Sequence, residues 1–124
     1  MRRIASHYIY CHQVYKMHYL ELTDEGLYMG LYPLTEEIAG TEFYDGILVP
    51  VSSQEKQIYS DLISIPFGKN SNFSRKESIF SYLDLIKVSL QVEKERPVRL
   101  VLLNGSPLTA TELSTNNSGS DCYI

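Results

Sequence analysis

The run Val98-Arg99-Leu100-Val101-Leu102-Leu103 constrains the fold more than any other feature of this sequence, because it is almost continuously apolar. A strand with one face in solvent carries polar residues at every second position, whereas a run of this kind is typical of a strand buried on both faces. The turn pair Asn104-Gly105 follows it. We therefore predict a central strand that ends at this turn.

A β-hairpin is predicted in the first third of the chain. Ile4 to Cys11 and Val14 to Leu22 are rich in Tyr, Ile, Val and Leu, whose branched or flat side chains pack well on a pleated sheet. Thr23-Asp24-Glu25-Gly26 supplies turn residues, and Leu27 to Tyr32 then continues as the next strand. Pro33 should end that strand because proline lacks a backbone donor.

One helix is predicted, from about residue 75 to residue 95. Ser74 and Glu77 form a capping box at its start, and Pro97 disfavours helical geometry in the residue before it. Two sets of apolar residues lie on nearly opposite sides of this helix. The first set is predicted to pack on a sheet and comprises Ile79, Leu83, Ile86 and Leu90; the second set is Leu85, Val88 and Val92.

These elements define a mainly β fold with one α-helix, an α+β domain. A fourth strand is predicted from Phe43 to Val51, where Asp45-Gly46 indicates either a turn or a bulge. A chain of 124 residues suits a single domain, because halves of that length would have too small a core. The polar stretch from about residue 114 predicts a flexible tail.

Composition narrows the classes of function. Fifteen acidic and eleven basic residues give a net charge of −4, which disfavours binding to nucleic acid. No apolar run reaches the length of a membrane span, and two cysteines are few for a small secreted domain held together by disulfides. We therefore expect a cytoplasmic protein that binds neither nucleic acid nor membrane.

Three segments resemble parts of a known family. Arg3 to Tyr8 and Tyr44 to Pro50 look like the opening strands of amidohydrolases, and Glu95 to Gly105 resembles the strand with which such chains re-enter their β-domain. Together with the Asp24-Glu25-Gly26 turn, the resemblance covers roughly half of the chain. It is a resemblance to the composite β-sandwich domain of these metallo-dependent hydrolases, and it implies a β-sandwich with one helix.

The same resemblance argues against the family's chemistry in this chain. In amidohydrolases the strand that carries the proline is followed by a His-x-His pair that binds the catalytic metal, whereas here Pro50 leads into Val51-Ser52-Ser53-Gln54. A catalytic barrel needs on the order of 200 residues, and only about fifty lie between the matching ends. The resemblance therefore implies neither hydrolytic activity nor a bound metal.

Reactive residues are present, but their spacing predicts no catalytic or metal site. His7, His12 and His18 lack the short His-x-His or His-x-x-x-His spacing of a metal site, and polar tips on half-exposed strands explain them. Cys11 and His12 are neighbours, and neighbours on a strand point to opposite faces. We expect no cofactor and no catalytic residue.

The ten tyrosines and the second apolar set of the helix predict binding surfaces instead. Tyr28 and Tyr32 are expected to share one face of the hairpin. These two residues and Leu85, Val88 and Val92 are the predicted partner-binding residues.

The function predicted from these residues is that of a non-catalytic β-domain, which acts by self-association, for example as a homodimer, or by binding a protein partner. The alternative is a small ligand-binding or enzymatic domain with a site built from scattered polar residues. A deep pocket that encloses either His18 or a tyrosine hydroxyl beside a carboxylate would favour that alternative.

Overall fold

The structure is a computed structural model that describes residues 2–36, 39–54, 57, 60, 76–86, 90–104 and 109–113. The described strands all belong to one mixed sheet, in the order β3-β2-β1-β4-β5-β6. In the described residues the expected mainly β architecture with one helix is confirmed, although the helix is short, whereas the expected sandwich is not confirmed, because the described strands form a single sheet. The elements are β1 (Arg2–Tyr10), β2 (Val14–Leu22), β3 (Tyr28–Pro33), β4 (Thr41–Ser52), α1 (Lys76–Leu85), β5 (Val98–Asn104) and β6 (Thr109–Leu113).

The predicted hairpin is confirmed as β2 and β3, which pair in antiparallel fashion. Gly26 adopts a φ of 88°, and its N–H donates to the Thr23 carbonyl at 2.9 Å. A left-handed residue at this place is what a tight turn requires, and glycine adopts that conformation without a steric cost. Strand β3 ends at Pro33, as expected.

Asp45 and Gly46 form a bulge rather than a turn. Strand β1 runs parallel to β4, and its residues Ser6 and Tyr8 pair with Tyr44 and Ile47. Two residues of β4 therefore lie opposite one residue of β1, which bends the strand and increases its local twist. Beyond the bulge, β4 continues as the antiparallel partner of β5.

The sheet curls until its β3 edge meets the beginning of β5. The Tyr28 N–H donates to the Arg96 carbonyl at 3.0 Å, the Glu95 N–H donates to the Tyr28 carbonyl at 2.7 Å, and Leu27 forms an antiparallel bridge with Pro97. Farther along, β5 pairs with β6 instead. The β3 edge and the beginning of β5 therefore bring the two ends of the curled sheet together, as in a small barrel.

Two apolar clusters lie on the two faces of the curled sheet. Strands β4 and β5 contribute to both clusters, which confirms that β5 is a central strand with both faces buried. The inner cluster comprises Ile4, Ile9, Cys11, Leu20, Leu22, Tyr28, Leu48, Val98, Leu100 and Leu102. The outer cluster comprises Tyr10, Ile47, Val49, Val51, Ile79, Leu83, Leu90, Val101 and Leu103.

The helix packs on the outer cluster through its predicted face. Ile79 and Leu83 are buried there, as is Leu90 farther along the chain, and Ile86 packs against them. The Tyr10 hydroxyl donates to the Asp84 carboxylate and so connects β1 to α1. Burial raises the pKa of Tyr10, and this hydrogen bond raises it further.

The predicted end of the helix near residue 95 is wrong. Helix α1 ends at Leu85, and residues 91–95 are not helical. The backbone of Glu95 and Arg96 instead forms hydrogen bonds with Tyr28, and Glu95 adopts a φ of 67°. These tertiary hydrogen bonds replace the helical ones in that segment. The capping serine Ser74, the turn residue Gly105 and the tail from about residue 114 lie outside the described residues.

Candidate functional site

An open cleft of about 300 Å³ lies where the β1–β2 loop, the edge strand β3 and the segment before β5 come together. Three tyrosines (Tyr15, Tyr28 and Tyr32) and two histidines (His12 and His18) form much of its lining, so we name it the aromatic cleft. The remaining lining residues are Cys11, Gly30, Leu31, Val92 and Lys94.

A backbone irregularity at Met17 brings Tyr15 and His18 of strand β2 to the same face, so that both line the aromatic cleft. Residues three apart on a regular strand point to opposite faces, but Met17 between them adopts a φ of 54°. The rings of Tyr15 and His18 are in contact, with their centroids 4.9 Å apart. The His18 Nδ1 lies 3.0 Å from the Lys16 carbonyl; if it donates there, the Nε2 atom is left for a ligand.

A second irregularity corrects the predicted faces of strand β3. Glu21 pairs with Gly30 and Leu22 pairs with Tyr28, so Met29 is an extra residue. This bulge turns Tyr28 to the inner cluster, on the side of Leu31, and the expectation that Tyr28 and Tyr32 share one face is wrong.

Tyr32 nevertheless reaches the same cleft, because the cleft runs along the edge strand. Its ring lies beside that of Tyr19, with centroids 5.7 Å apart. Its hydroxyl donates to the Met29 carbonyl at 3.3 Å, and its ring covers Gly30, where an added Cβ would lie 2.5 Å from the Tyr32 hydroxyl oxygen. An aromatic ring laid over an edge glycine in this way helps to fix the register of the strand.

Tyr28 and Cys11 form a buried pair at the base of the aromatic cleft. Tyr28 is only 8 % exposed and Cys11 only 6 % exposed. Burial raises the pKa of the Cys11 thiol, and a hydrogen bond with Tyr28 offsets part of that rise. Burial also raises the pKa of Tyr28, with further contributions from Cys11, Tyr15 and Tyr32. Both groups are therefore protonated at neutral pH.

The segment before β5 separates its charges between two sides. Val92 and Lys94 line the aromatic cleft, whereas Gln91 and Glu93 line a smaller pocket of about 80 Å³. Lys94 therefore lies at the aromatic cleft, and its acidic neighbour Glu93 lies at the other pocket. Among the described lining residues of the aromatic cleft there is no carboxylate.

The predicted partner-binding residues do not form one surface. Tyr28, Tyr32 and Val92 meet at the aromatic cleft, whereas Leu85 is 83 % exposed at the end of α1. Val88 lies outside the described residues. Because the helix ends at Leu85, Val92 is not on a common helical strip with it, although whether any of these residues binds a partner stays a prediction.

The three histidines separate as well. His12 and His18 line the aromatic cleft, whereas the His7 Nδ1 lies 2.9 Å from the Asp45 carboxylate and its ring contacts that of Phe43. Within the described ranges, no three His, Cys, Asp or Glu side chains are grouped as metal ligands. Sequence reasoning missed the cleft, although the recurrence of ring side chains at His12, Tyr15 and His18 was its available signal.

Comparisons of the chain with protein-family models, curated proteins and solved structures found no match. None of the helices in the described part of the chain has the length and apolar character needed to cross a membrane.

Proposed function

We propose that this chain is a non-catalytic β-domain that acts by binding a protein partner or a second copy of itself through the aromatic cleft. The observation that carries the proposal is the convergence of Tyr15, Tyr28 and Tyr32 on one open cleft. Tyrosine combines a large apolar ring with a polar hydroxyl, and it is enriched at protein interfaces for that reason.

The protonation of the cleft supports binding rather than catalysis. A nucleophilic cysteine needs a lowered pKa, whereas burial raises the pKa of Cys11. The Cys11 thiol is therefore not prepared for acyl transfer.

One observation favours the alternative of a small-ligand site, since the aromatic cleft contains His18 close to tyrosine side chains. Small-molecule sites, however, usually bury most of their ligand. This cleft is open, and His12 and Lys94 on its rim are exposed. A protein segment suits such an open surface better, because the rest of the partner protein makes further contacts outside the cleft.

We also propose kinship with the β-domain of amidohydrolases and a cytoplasmic location. The kinship proposal rests on the resemblance of the segments Arg3 to Tyr8, Tyr44 to Pro50 and Glu95 to Gly105, which contribute to the neighbouring strands β1, β4 and β5. Kinship carries the expectation of a sandwich whose halves pack about 10 Å apart. A crystal structure without such face-to-face halves would count against it, and fractionation of cells that express the tagged chain tests the location.

The binding proposal is tested by selecting random peptides on immobilised protein. Tyr32→Ala removes a half-exposed ring from the cleft, and Phe43→Ala is the matched control because Phe43 is 47 % exposed elsewhere on the sheet. Peptides should be enriched on the wild-type chain and on Phe43→Ala but not on Tyr32→Ala. Sedimentation of the same three proteins detects self-association through the cleft.

Two results would overturn the proposal. In the first, Tyr32→Ala changes neither the enrichment of peptides nor the sedimentation of the protein. In the second, the wild-type chain enriches no peptide and remains monomeric at high concentration. Far-UV circular dichroism of each variant excludes loss of the fold as the cause.

A further inference from the structure

We infer that the aromatic cleft recognises an acidic aromatic segment of a partner protein, in which a Phe or Tyr lies next to Asp or Glu. This inference rests on the proposed function and deepens it, because it specifies the chemistry of the bound segment. Three features of the cleft carry it: its basic side chains, its ring surfaces and its open shape.

The basic side chains come from two different parts of the fold. His12 lies in the β1–β2 loop with a φ of 71°, and His18 lies on β2 directly after the left-handed residue Met17. Lys94 lies in the segment before β5. The acidic neighbour Glu93 lines the other pocket. A ligand carboxylate in the cleft would therefore meet the Lys94 ammonium group and, where a ring nitrogen carries a proton, a histidine N–H, with no carboxylate among the described lining residues to oppose it.

The ring surfaces provide the second half of the recognition. Tyr15 and His18 form a tilted pair, and Tyr32 lines the same cleft from the edge strand. The Tyr32 hydroxyl is engaged with the Met29 carbonyl, so this residue presents mainly ring surface, whereas the buried Tyr28 forms the base of the cleft. An aromatic side chain gains offset or edge contacts with such rings beyond its simple burial.

The open shape favours a protein segment over a free aromatic acid. The cleft volume of about 300 Å³ accommodates one aromatic side chain with its neighbours, and the exposed rim leaves the flanking chain in solvent. Nucleic acid would need many phosphate contacts, which a chain of net charge −4 does not provide.

The test measures binding of three synthetic peptides by NMR titration of the backbone amides. The peptides are Ac-Ser-Asp-Phe-Asp-Ser-NH2, the same peptide with Asn in place of both Asp, and the same peptide with Ala in place of Phe. The first should perturb the amides around the cleft and bind more tightly than either of the others. Free 4-hydroxyphenylacetate is the small-molecule arm and should bind more weakly still.

Lys94→Gln should weaken binding of the acidic peptide by roughly two- to fivefold, which is the usual effect of a partly exposed ion pair. Lys16→Gln is the matched control, because it removes the same charge from an exposed position on β2 outside the cleft. It should change the affinity by less than Lys94→Gln does.

Each contrary outcome identifies what is wrong. Equal binding of the Asp and Asn peptides, or equal effects of Lys94→Gln and Lys16→Gln, would refute the acidic part, and equal binding of the Ala peptide would refute the aromatic part. Tighter binding of 4-hydroxyphenylacetate would refute the protein segment. Cleft-dependent enrichment of neutral or basic peptides in the selection with Tyr32→Ala would leave the proposed function standing while this inference fails.

Discussion

Gly46 is the position where one added methyl group should damage this sheet most clearly. It lies in the bulge of β4 with a φ of 126°, a conformation that residues with a Cβ rarely adopt. A Cβ placed there would lie 2.5 Å from the Leu103 carbonyl oxygen and 2.7 Å from the Asn104 Cβ. The Asn104 side-chain amide also donates to the Asp45 carbonyl at 3.1 Å, so β5 is attached to the bulge at this point.

The magnitude follows from these two effects. Backbone strain at such a φ costs about 1–3 kcal/mol, and the clash falls on backbone atoms of β5, which can move only by disturbing its pairing with β4. We therefore expect Gly46→Ala to lower the free energy of unfolding by about 3 kcal/mol. In a chain of this size 1 kcal/mol changes the Tm by roughly 4 °C, which corresponds to a decrease of roughly 12 °C.

Gly40→Ala is the matched control. Gly40 also has a positive φ, of 82°, but among the described residues no atom outside its two chain neighbours lies within 4 Å of its hypothetical Cβ. Its strain is partly offset by the reduced entropy of the unfolded chain, which favours Ala over Gly by about 0.4–1 kcal/mol. Urea unfolding followed by circular dichroism gives both values. Equal destabilisation by the two substitutions would show that contact with β5 is not what makes Gly46 special.

The remaining predictions concern the helix and an ion pair. Leu83→Ala should lower the free energy of unfolding by about 2–5 kcal/mol, because Leu83 is fully buried on the sheet-facing side of α1. Leu85→Ala should lower it by at most about 0.5 kcal/mol in the same urea experiment, because Leu85 is 83 % exposed. Similar losses for the two variants would refute the packing of α1. Arg2 donates two hydrogen bonds of 2.9 Å to Glu42 and thereby lowers the pKa of that carboxyl group from its ordinary 4.5. The stabilisation by this ion pair is present above the ordinary pKa and is lost as the pH falls through the lowered pKa of Glu42. Glu42→Gln should therefore make the decline in Tm between about pH 5 and pH 3 less steep. An unchanged decline would contradict this prediction.

Local chemistry was sufficient to predict the elements whose residues act on their own neighbours. The turn at Gly26, the end of β3 at Pro33 and the buried strand β5 all follow from conformational preference or apolar content within a few residues. The bulge at Met29 has no such signal, because nothing in the alternation of Leu27 to Tyr32 shows that one residue is extra. The predicted face of Tyr28 was therefore wrong, even though the strand itself was predicted correctly.

The end of the helix and the aromatic cleft share one physical cause that no local pattern contains. The apolar periodicity after Leu85 remains compatible with a helix, but the backbone of Glu95 and Arg96 bonds to Tyr28, which is more than sixty positions away along the chain. Those hydrogen bonds join the β3 edge to the beginning of β5, and the same closure brings Val92 and Lys94 against the tyrosines of the hairpin. The candidate site is thus a product of the curl of the sheet. A change that opened this closure without unfolding the core should remove the cleft and restore an ordinary edge strand.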